Sequence, residues 1–284
     1  MGRMMDVIFS LFPKFYKHLD ADRLAAVVRE TGLDTTNVII RDGFWVTAAG
    51  LATELPAFLR ILRAEGLNVT FASAGFPAAQ LIADPTPLAI LAGNGITEFR
   101  LGYFRETKDG PRSSLGAARK QLEQLIPLCE RHRIRAVYQL HHDTLVSNPS
   151  AVWHIVQGLP ARWLGIELDP GNQGFEGFED WGRSTRLLNE YLAAAGIKDT
   201  ALNRDIQAAG NPDKGWRRTW VPIDEGVTNW HDFVRSLAEI DFAGAFIFMP
   251  FYNKDEPDLM TVKLKREVAY LRGIIKTSRI NRSA

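Results

Sequence analysis

The sequence has a single cysteine, Cys129 in the run LIPLCERH, which excludes an intramolecular disulfide and a thiolate metal cluster and reads as a buried helix position. It lacks an excess of either charge. Its 34 basic residues face 33 acidic ones, leaving no global electrostatic reason to bind nucleic acid or an anionic membrane. No apolar run approaches the roughly 20 residues that span a bilayer. The opening MGRMMDVIFSLFPKF has no A-x-A-like cleavage site and turns polar within a few residues. A cytoplasmic protein with neither a nucleic-acid nor a membrane partner is the expectation. A glycine-rich G-x-G-x-x-G turn is also missing after the first apolar run, which removes the main sign of an open doubly wound sheet. With no low-complexity segment and no linker, the 284 residues read as one domain, 1–284, close to the roughly 250 residues that α/β barrels reach as a single unit.

What the chain does contain is a regular alternation of β-rich and amphipathic stretches. Asp6–Phe12, DVIFSLF, predicts a strand, and Leu19–Thr31 a helix capped by Asp20. Further strands are expected at Asn37–Asp42, Leu67–Ala74, Thr97–Phe104 and Arg135–His142. Helices are expected at Leu51–Gly66, closed by its glycine, in a short form within Pro77–Gly93, and at Ser113–Arg133, where Pro127 is placed to bend or cut the helix. Asn148 can cap another that Pro149 opens. The sixth strand starts at Trp163 and delivers Asp169 to its far end before Pro170 and Gly171 stop it. After a helix over Phe178–Leu192 comes a seventh strand, YLAAAGIKDTAL from Tyr191, then a loop rich in Asn, Pro, Gly and Trp, and a helix starting near Asn229. GAFIFMPFY, Gly244–Tyr252, is the eighth strand, and helix Leu259–Thr277 closes the chain. Eight apolar strands alternating with eight helices predict parallel pairing with right-handed crossovers: an α/β protein, a single (β/α)8 TIM barrel.

In such a barrel, functional groups lie at the carboxyl ends of the strands. Side-chain alternation puts Glu98, Arg100 and Gly102 inside the fourth strand and Phe99, Leu101 and Tyr103 towards the helices. The same parity gives Val137, Gln139 and His141, then Gly165, Glu167 and Asp169, then Ala194, Gly196 and Lys198, and finally Ile247, Met249 and Phe251. A carboxylate at the tip of a buried strand costs free energy without partners, so Asp169 is a site candidate, with capping of the next helix as its plainer role. Arg100 suits carboxylate, phosphate or polyol oxygens, although structural pairs of Arg100 with Glu98 and of Lys198 with Glu167 are the alternative. His141 and His142 would face opposite ways along a strand and so could not share a metal. His141 is read as a site residue and His142 as packing. Trp216, Trp220 and Trp230 read either as packing or as stacking surfaces for a sugar ring.

Three blocks carry more: QLHHDTLVSNPSAV from Gln139, GIELDPGNQGFEG from Gly165, and YLAAAGIKD from Tyr191 together with WVPIDEGVTNW from Trp220. They resemble the xylose-isomerase-like (β/α)8 barrels, which include sugar phosphate isomerases and epimerases. The last block is similar to the family's W-x-x-x-P-L-G-E-G-x-x-x-W signature, with Asp224 in place of a glycine. The resemblance implies one divalent metal bound by a Glu at strand five, an Asp at six, a His at seven and a Glu at eight. Those positions fall on Gln139, Asp169, Gly196 and Phe251, and Gln, Gly and Phe cannot hold Mg²⁺ or Mn²⁺. The endonuclease relatives, with their multi-metal cluster, are excluded on the same ground.

The expected activity is thus isomerisation or epimerisation of a sugar, sugar phosphate or keto-polyol by proton transfer next to a carbonyl, with no metal and no cofactor. Asp169, Lys198 and His141 are the catalytic candidates, and Arg100, Gln139, Asn172, Glu176 and Glu225 the substrate-binding ones. Asp169 is expected as the base, Lys198 and Arg100 as stabilisers of negative charge, and Glu176 and Glu225 as alternative acids. The rival is a catalytically silent carbohydrate-binding or regulatory protein, and lyase action on a keto-polyol would use the same groups. The partner is a small sugar or polyol, and a homo-oligomer is compatible with the sequence.

Overall fold

A computed structural model describes residues 5–278, so the first four residues of the opening segment lie outside it. Strand β1 (Ile8–Leu11) leads into helix α1 (Ala21–Thr31), whose cap Asp20 accepts a hydrogen bond from Arg23 N. Two short strands, β2 (Thr35–Thr36) and β3 (Val38–Ile39), flank Asn37 and precede α2 (Leu51–Ala64). Strand β4 (Phe71–Phe76) is followed by two short helices, α3 (Ala78–Ala83) and α4 (Thr86–Gly93), and β5 (Glu98–Leu101) by α5 (Pro111–His132). Pro127 leaves α5 continuous, because it sits on the exposed face where solvent can satisfy the carbonyl it frees. Then come β6 (Arg135–Gln139), α6 (Pro149–Val156) capped by Asn148, β7 (Leu164–Leu168), α7 (Pro170–Glu176) and α8 (Trp181–Leu188). Strands β8 (Leu192–Ile197), β9 (Asp199–Arg204) and β10 (Trp216–Val221) precede α9 (Trp230–Glu239), β11 (Ala245–Phe248) and α10 (Pro257–Ser278).

The barrel strands pair in parallel in the order β2-β1-β11-β8-β7-β6-β5-β4-β3. The two edges of that order are the two halves of one strand broken at Asn37, so the sheet returns upon itself as a (β/α)8 barrel. Asn37 earns the break chemically: its Oδ1 accepts from Ser10 Oγ at 2.7 Å and its Nδ2 donates to Ser73 Oγ at 3.3 Å, tying β1 to β4 across the seam. Two separate apolar cores follow from strand alternation. The larger fills the space between strands and helices, and a small one inside the barrel contains Phe12, Ile39, Phe71, Val137, Ala194, Ile247 and Met249.

The largest departure from the sequence expectation is at the seventh strand. The seventh strand does not run to Leu202: it ends at Ile197, and the chain beyond Lys198 leaves the barrel as the antiparallel hairpin β9–β10, where a loop was expected. Asp199 fixes this exit. Its buried carboxylate accepts from Thr200 N (2.7 Å), Thr228 N (3.1 Å), Thr228 Oγ1 (2.9 Å) and Trp230 Nε1 (2.8 Å), so the turn after β10 is folded back onto the base of the hairpin. Trp230 is thereby a core residue on α9, and Trp216 an exposed one on β10. A cavity of about 300 Å³ lies at the opposite, amino-terminal end of the strands, lined by Ile8, Phe71, Glu98, Arg135 and Ala245 among others. There Glu98 pairs with Arg135 at 3.5 Å, and not with Arg100.

Candidate functional site

Asp169 follows the last residue of β7, and its two oxygens have different tasks. Oδ1 accepts from Asn172 N at 2.9 Å and caps α7, while Oδ2 accepts from Gln139 Nε2 at 2.6 Å and lies 3.3 Å from Lys198 Nζ. One oxygen thus serves the helix cap and the other faces the polar cluster. Gln139 suits its place because its amide has two ends: Oε1 accepts from Arg100 Nη1 (3.1 Å) and Tyr103 OH (2.5 Å), and Nε2 faces the carboxylate. Lys198 Nζ also donates to Asn172 Oδ1 at 2.7 Å, and Asn172 Nδ2 donates to Leu140 O. Two glycines make room for this packing. A Cβ on Gly196 would lie 2.7 Å from Asp169 Oδ2, and one on Gly171 would lie 2.6 Å from Lys198 Cγ. The network is sealed, with Asp169 0%, Gln139 1% and Lys198 3% exposed.

Burial sets the electrostatics. It lowers the proton affinity of Lys198, an effect that Asp169 opposes. The Lys198 ammonium is further held against the rings of Trp220 (4.7 Å) and Phe251 (4.8 Å), which partly replace lost hydration. Beneath them, Glu167 is fully buried with neither oxygen hydrogen-bonded, and burial pushes its pKa up to about 7 against the opposing pull of Arg100. Burial likewise pushes His141 down to about 4, so its ring is neutral near neutral pH. Aromatic groups roof the mouth: Phe175 packs against Trp220 at 4.9 Å and Trp220 against Phe251 at 5.3 Å.

Of the residues expected at the site, Arg100, Gln139, Asp169, Asn172 and Lys198 form one connected cluster. His141 stands at its edge, its ring 4.8 Å from Tyr103 and its Nδ1 on His142 O. Glu176 is an exposed rim residue whose carboxylate accepts from Asp143 N. Glu225 lies outside the cluster, paired with Arg266 of α10 at 2.5 Å. Lys198 has Asp169 and not Glu167 as its hydrogen-bonding ion-pair partner.

The two histidines do not face opposite ways, since β6 ends at Gln139 and their rings stack at 4.3 Å. It is His142, read from sequence as packing, that meets Asn172 Oδ1 at 3.1 Å. Parity puts Tyr103 on the helix side, but β5 stops at Leu101, and Gly102 lets the chain turn where a Cβ would strike Gly75 O. That glycine was the available signal.

The donor set does not fit a divalent metal. Among the described residues no group of three or more His, Cys, Asp or Glu side chains could hold one, and the single carboxylate at the position in question already faces an ammonium.

Comparison with known proteins bears on the family and the fold. Residues 25–272 match the family model described as xylose isomerase-like TIM barrel. Comparison with curated proteins yields no match. Among solved structures, the chain is similar to a xylose isomerase-like TIM barrel protein from Mycobacterium smegmatis in complex with magnesium (TM-score 0.69, 16% identity, 96% of this chain and 97% of that one). It is similar also to D-psicose 3-epimerase in the presence of D-fructose (0.67, 12%, 95% and 99%) and to mannonate dehydratase from Streptococcus suis serotype2 (0.68, 11%, 98% and 94%). At these identities the likeness is one of fold.

Proposed function

Because the chain belongs to the xylose isomerase-like TIM barrel family, which includes sugar isomerases, epimerases and dehydratases, we propose that it isomerises or epimerises a sugar or keto-polyol by proton transfer next to a carbonyl, without a protein-bound divalent metal. The observation that carries this reading is the meeting of Asp169 Oδ2 with Gln139 Nε2 and Lys198 Nζ at the carboxyl ends of β6, β7 and β8. Such a reaction needs a base for the carbon-bound proton and fixed positive or hydrogen-bonding groups for the oxygen that becomes an enediolate. Asp169 is the base. Lys198 and Arg100 stabilise the developing negative charge, and Gln139, Asn172 and His141 orient hydroxyl groups. Return of the proton to the neighbouring carbon gives isomerisation, and return to the opposite face gives epimerisation.

Lys198 is covered by Trp220 and Phe251, so substrate contact requires one of these rings to turn away from the mouth. The same closure favours a second reading, in which the Asp169–Lys198 pair is a stabilising plug and the protein binds a carbohydrate without turning it over. A panel of keto-sugars and polyols assayed in the presence of a chelator separates the two. Product formation that falls by about 10²–10⁴-fold in Asp169→Asn supports the enzyme. Binding without product from any member of the panel supports the silent binder, and unchanged turnover in Asp169→Asn removes Asp169 as the base.

A further inference from the structure

Around the site, positive charge gathers at Lys14, Arg41 and Arg100, beside a Lys198 that Asp169 already pairs. Lys14, on the turn after β1, has its Nζ 4.8 Å from the centre of the Phe251 ring, the same ring that Lys198 Nζ approaches to 4.8 Å. Arg100 lies 5.0 Å from the ring of Phe12, which stacks on Phe251. Arg41, on the turn after β3, lies 5.9 Å from the ring of Phe44, which packs with the interior core. Among the described residues no carboxylate comes within ion-pair distance of Lys14, Arg41 or Arg100. The cations oppose one another: after burial itself, repulsion from Arg41, Lys198, Arg100 and Lys254 weakens proton binding at Lys14, and repulsion from Arg100 adds to the effect of burial at Arg41. The acidic groups beneath do not cancel this field, since Asp169 is engaged by Lys198 and burial moves Glu167 towards its neutral form. Like charges brought together on a partly desolvated surface cost free energy that a bound anion returns.

We infer that the substrate carries an anionic terminus, a carboxylate or a phosphate, held by Lys14 and Arg41 at the rim while its polyol portion reaches Arg100, Gln139 and Asp169. The inference rests on reading the mouth as a small-molecule site, and it adds the class of molecule admitted. A guanidinium offers paired donors to an oxyanion and an ammonium a point charge, the combination that both carboxylates and phosphates use. The aromatic floor of Phe12, Phe44 and Phe251 excludes water and strengthens that attraction.

Titration calorimetry with three open-chain six-carbon polyols tests this: sorbitol, which is uncharged, gluconate, which ends in a carboxylate, and sorbitol 6-phosphate. At least one anion should bind at least tenfold more tightly than sorbitol, and which of the two does so names the terminus. The preference should vanish in Lys14→Gln/Arg41→Gln, whose thermal midpoint reports whether it folds. On the native protein alone, raising the salt from 50 to 500 mM should erode the anion's advantage and leave sorbitol unaffected. Equal binding of all three polyols, no binding by either anion, or a preference that survives both salt and the double substitution would overturn the proposal. These readouts involve no turnover. An anion-selective protein without catalysis would contradict the isomerase reading alone, whereas Asp169-dependent conversion of an uncharged sugar with no anion preference would contradict this inference alone.

Discussion

Taking Asp169 away leaves an ammonium buried without its counter-charge, which is worse than removing both charges together. Breaking a buried pair from one side costs about 3–5 kcal/mol, whereas an isosteric uncharged replacement of both partners is often close to neutral. Asp169→Ala should therefore destabilise the protein to urea by about that amount, and Asp169→Asn/Lys198→Met by clearly less than the sum of the single substitutions. Additive losses would mean that the 3.3 Å pair contributes nothing in solution. At this scale the sequence was most informative where strand parity applied. Arg100, Gln139, Asp169 and Lys198 were placed on the inner face by alternation alone, and they meet there. Parity failed beyond the strand ends, at Tyr103, His141 and His142, because the two-residue repeat has no meaning once the ladder stops. The unpartnered Glu167 was visible only as one more inward residue, since its isolation depends on what surrounds it in three dimensions.

The hairpin β9–β10 is an insertion that the barrel does not require, and Asp199 is its anchor. Four donors converge on a carboxylate that burial, against those hydrogen bonds, shifts towards protonation. Bonds to a charged acceptor contribute about 1.5–3 kcal/mol each before desolvation is subtracted. Asp199→Ala should loosen the hairpin first, so limited proteolysis should cleave between residues 204 and 216 much faster than in the native protein. Equal cleavage rates would show that strand pairing alone holds the hairpin. In the sequence, Asp-Thr-Ala-Leu continues a strand of small residues. Only the return of Thr228 and Trp230 shows why the chain leaves the barrel there. The tryptophan-rich signature was thus recognisable as a pattern but not as a clasp, and its Trp220 roofs the site while Trp230 fastens α9 to the hairpin base.

For the molecule as a whole, the barrel was legible because each βα unit carries its own evidence: an apolar run, a cap, a helical stripe. The pairing of these runs into one sheet follows from parallel crossovers rather than from any single residue. Stability has a pH dependence that the structure also dictates. Glu267 of α10 is buried, accepting from Ile223 N at 2.8 Å and from Tyr252 OH, and burial pushes its pKa up to about 8 against those two hydrogen bonds. Unfolded, the same carboxyl titrates at about 4.3. The folded state thus holds a proton that the unfolded state has released between those values, and stability is lost as the pH rises through that window. The Tm should decline from pH 5 to pH 8, and Glu267→Gln should flatten part of the slope, with Glu167 accounting for a further share in the same direction. An identical slope in the variant would contradict this assignment.

The claim on which the rest depends is that Asp169 moves a carbon-bound proton. Incubating the protein in deuterated water, with chelator present and a sugar or keto-polyol that it converts, allows the hydrogen next to the carbonyl to be followed by NMR. Deuterium should enter at that carbon with the native protein and at least about 10²-fold more slowly with Asp169→Asn. Deuterium uptake and conversion at the native rate in Asp169→Asn would contradict the account.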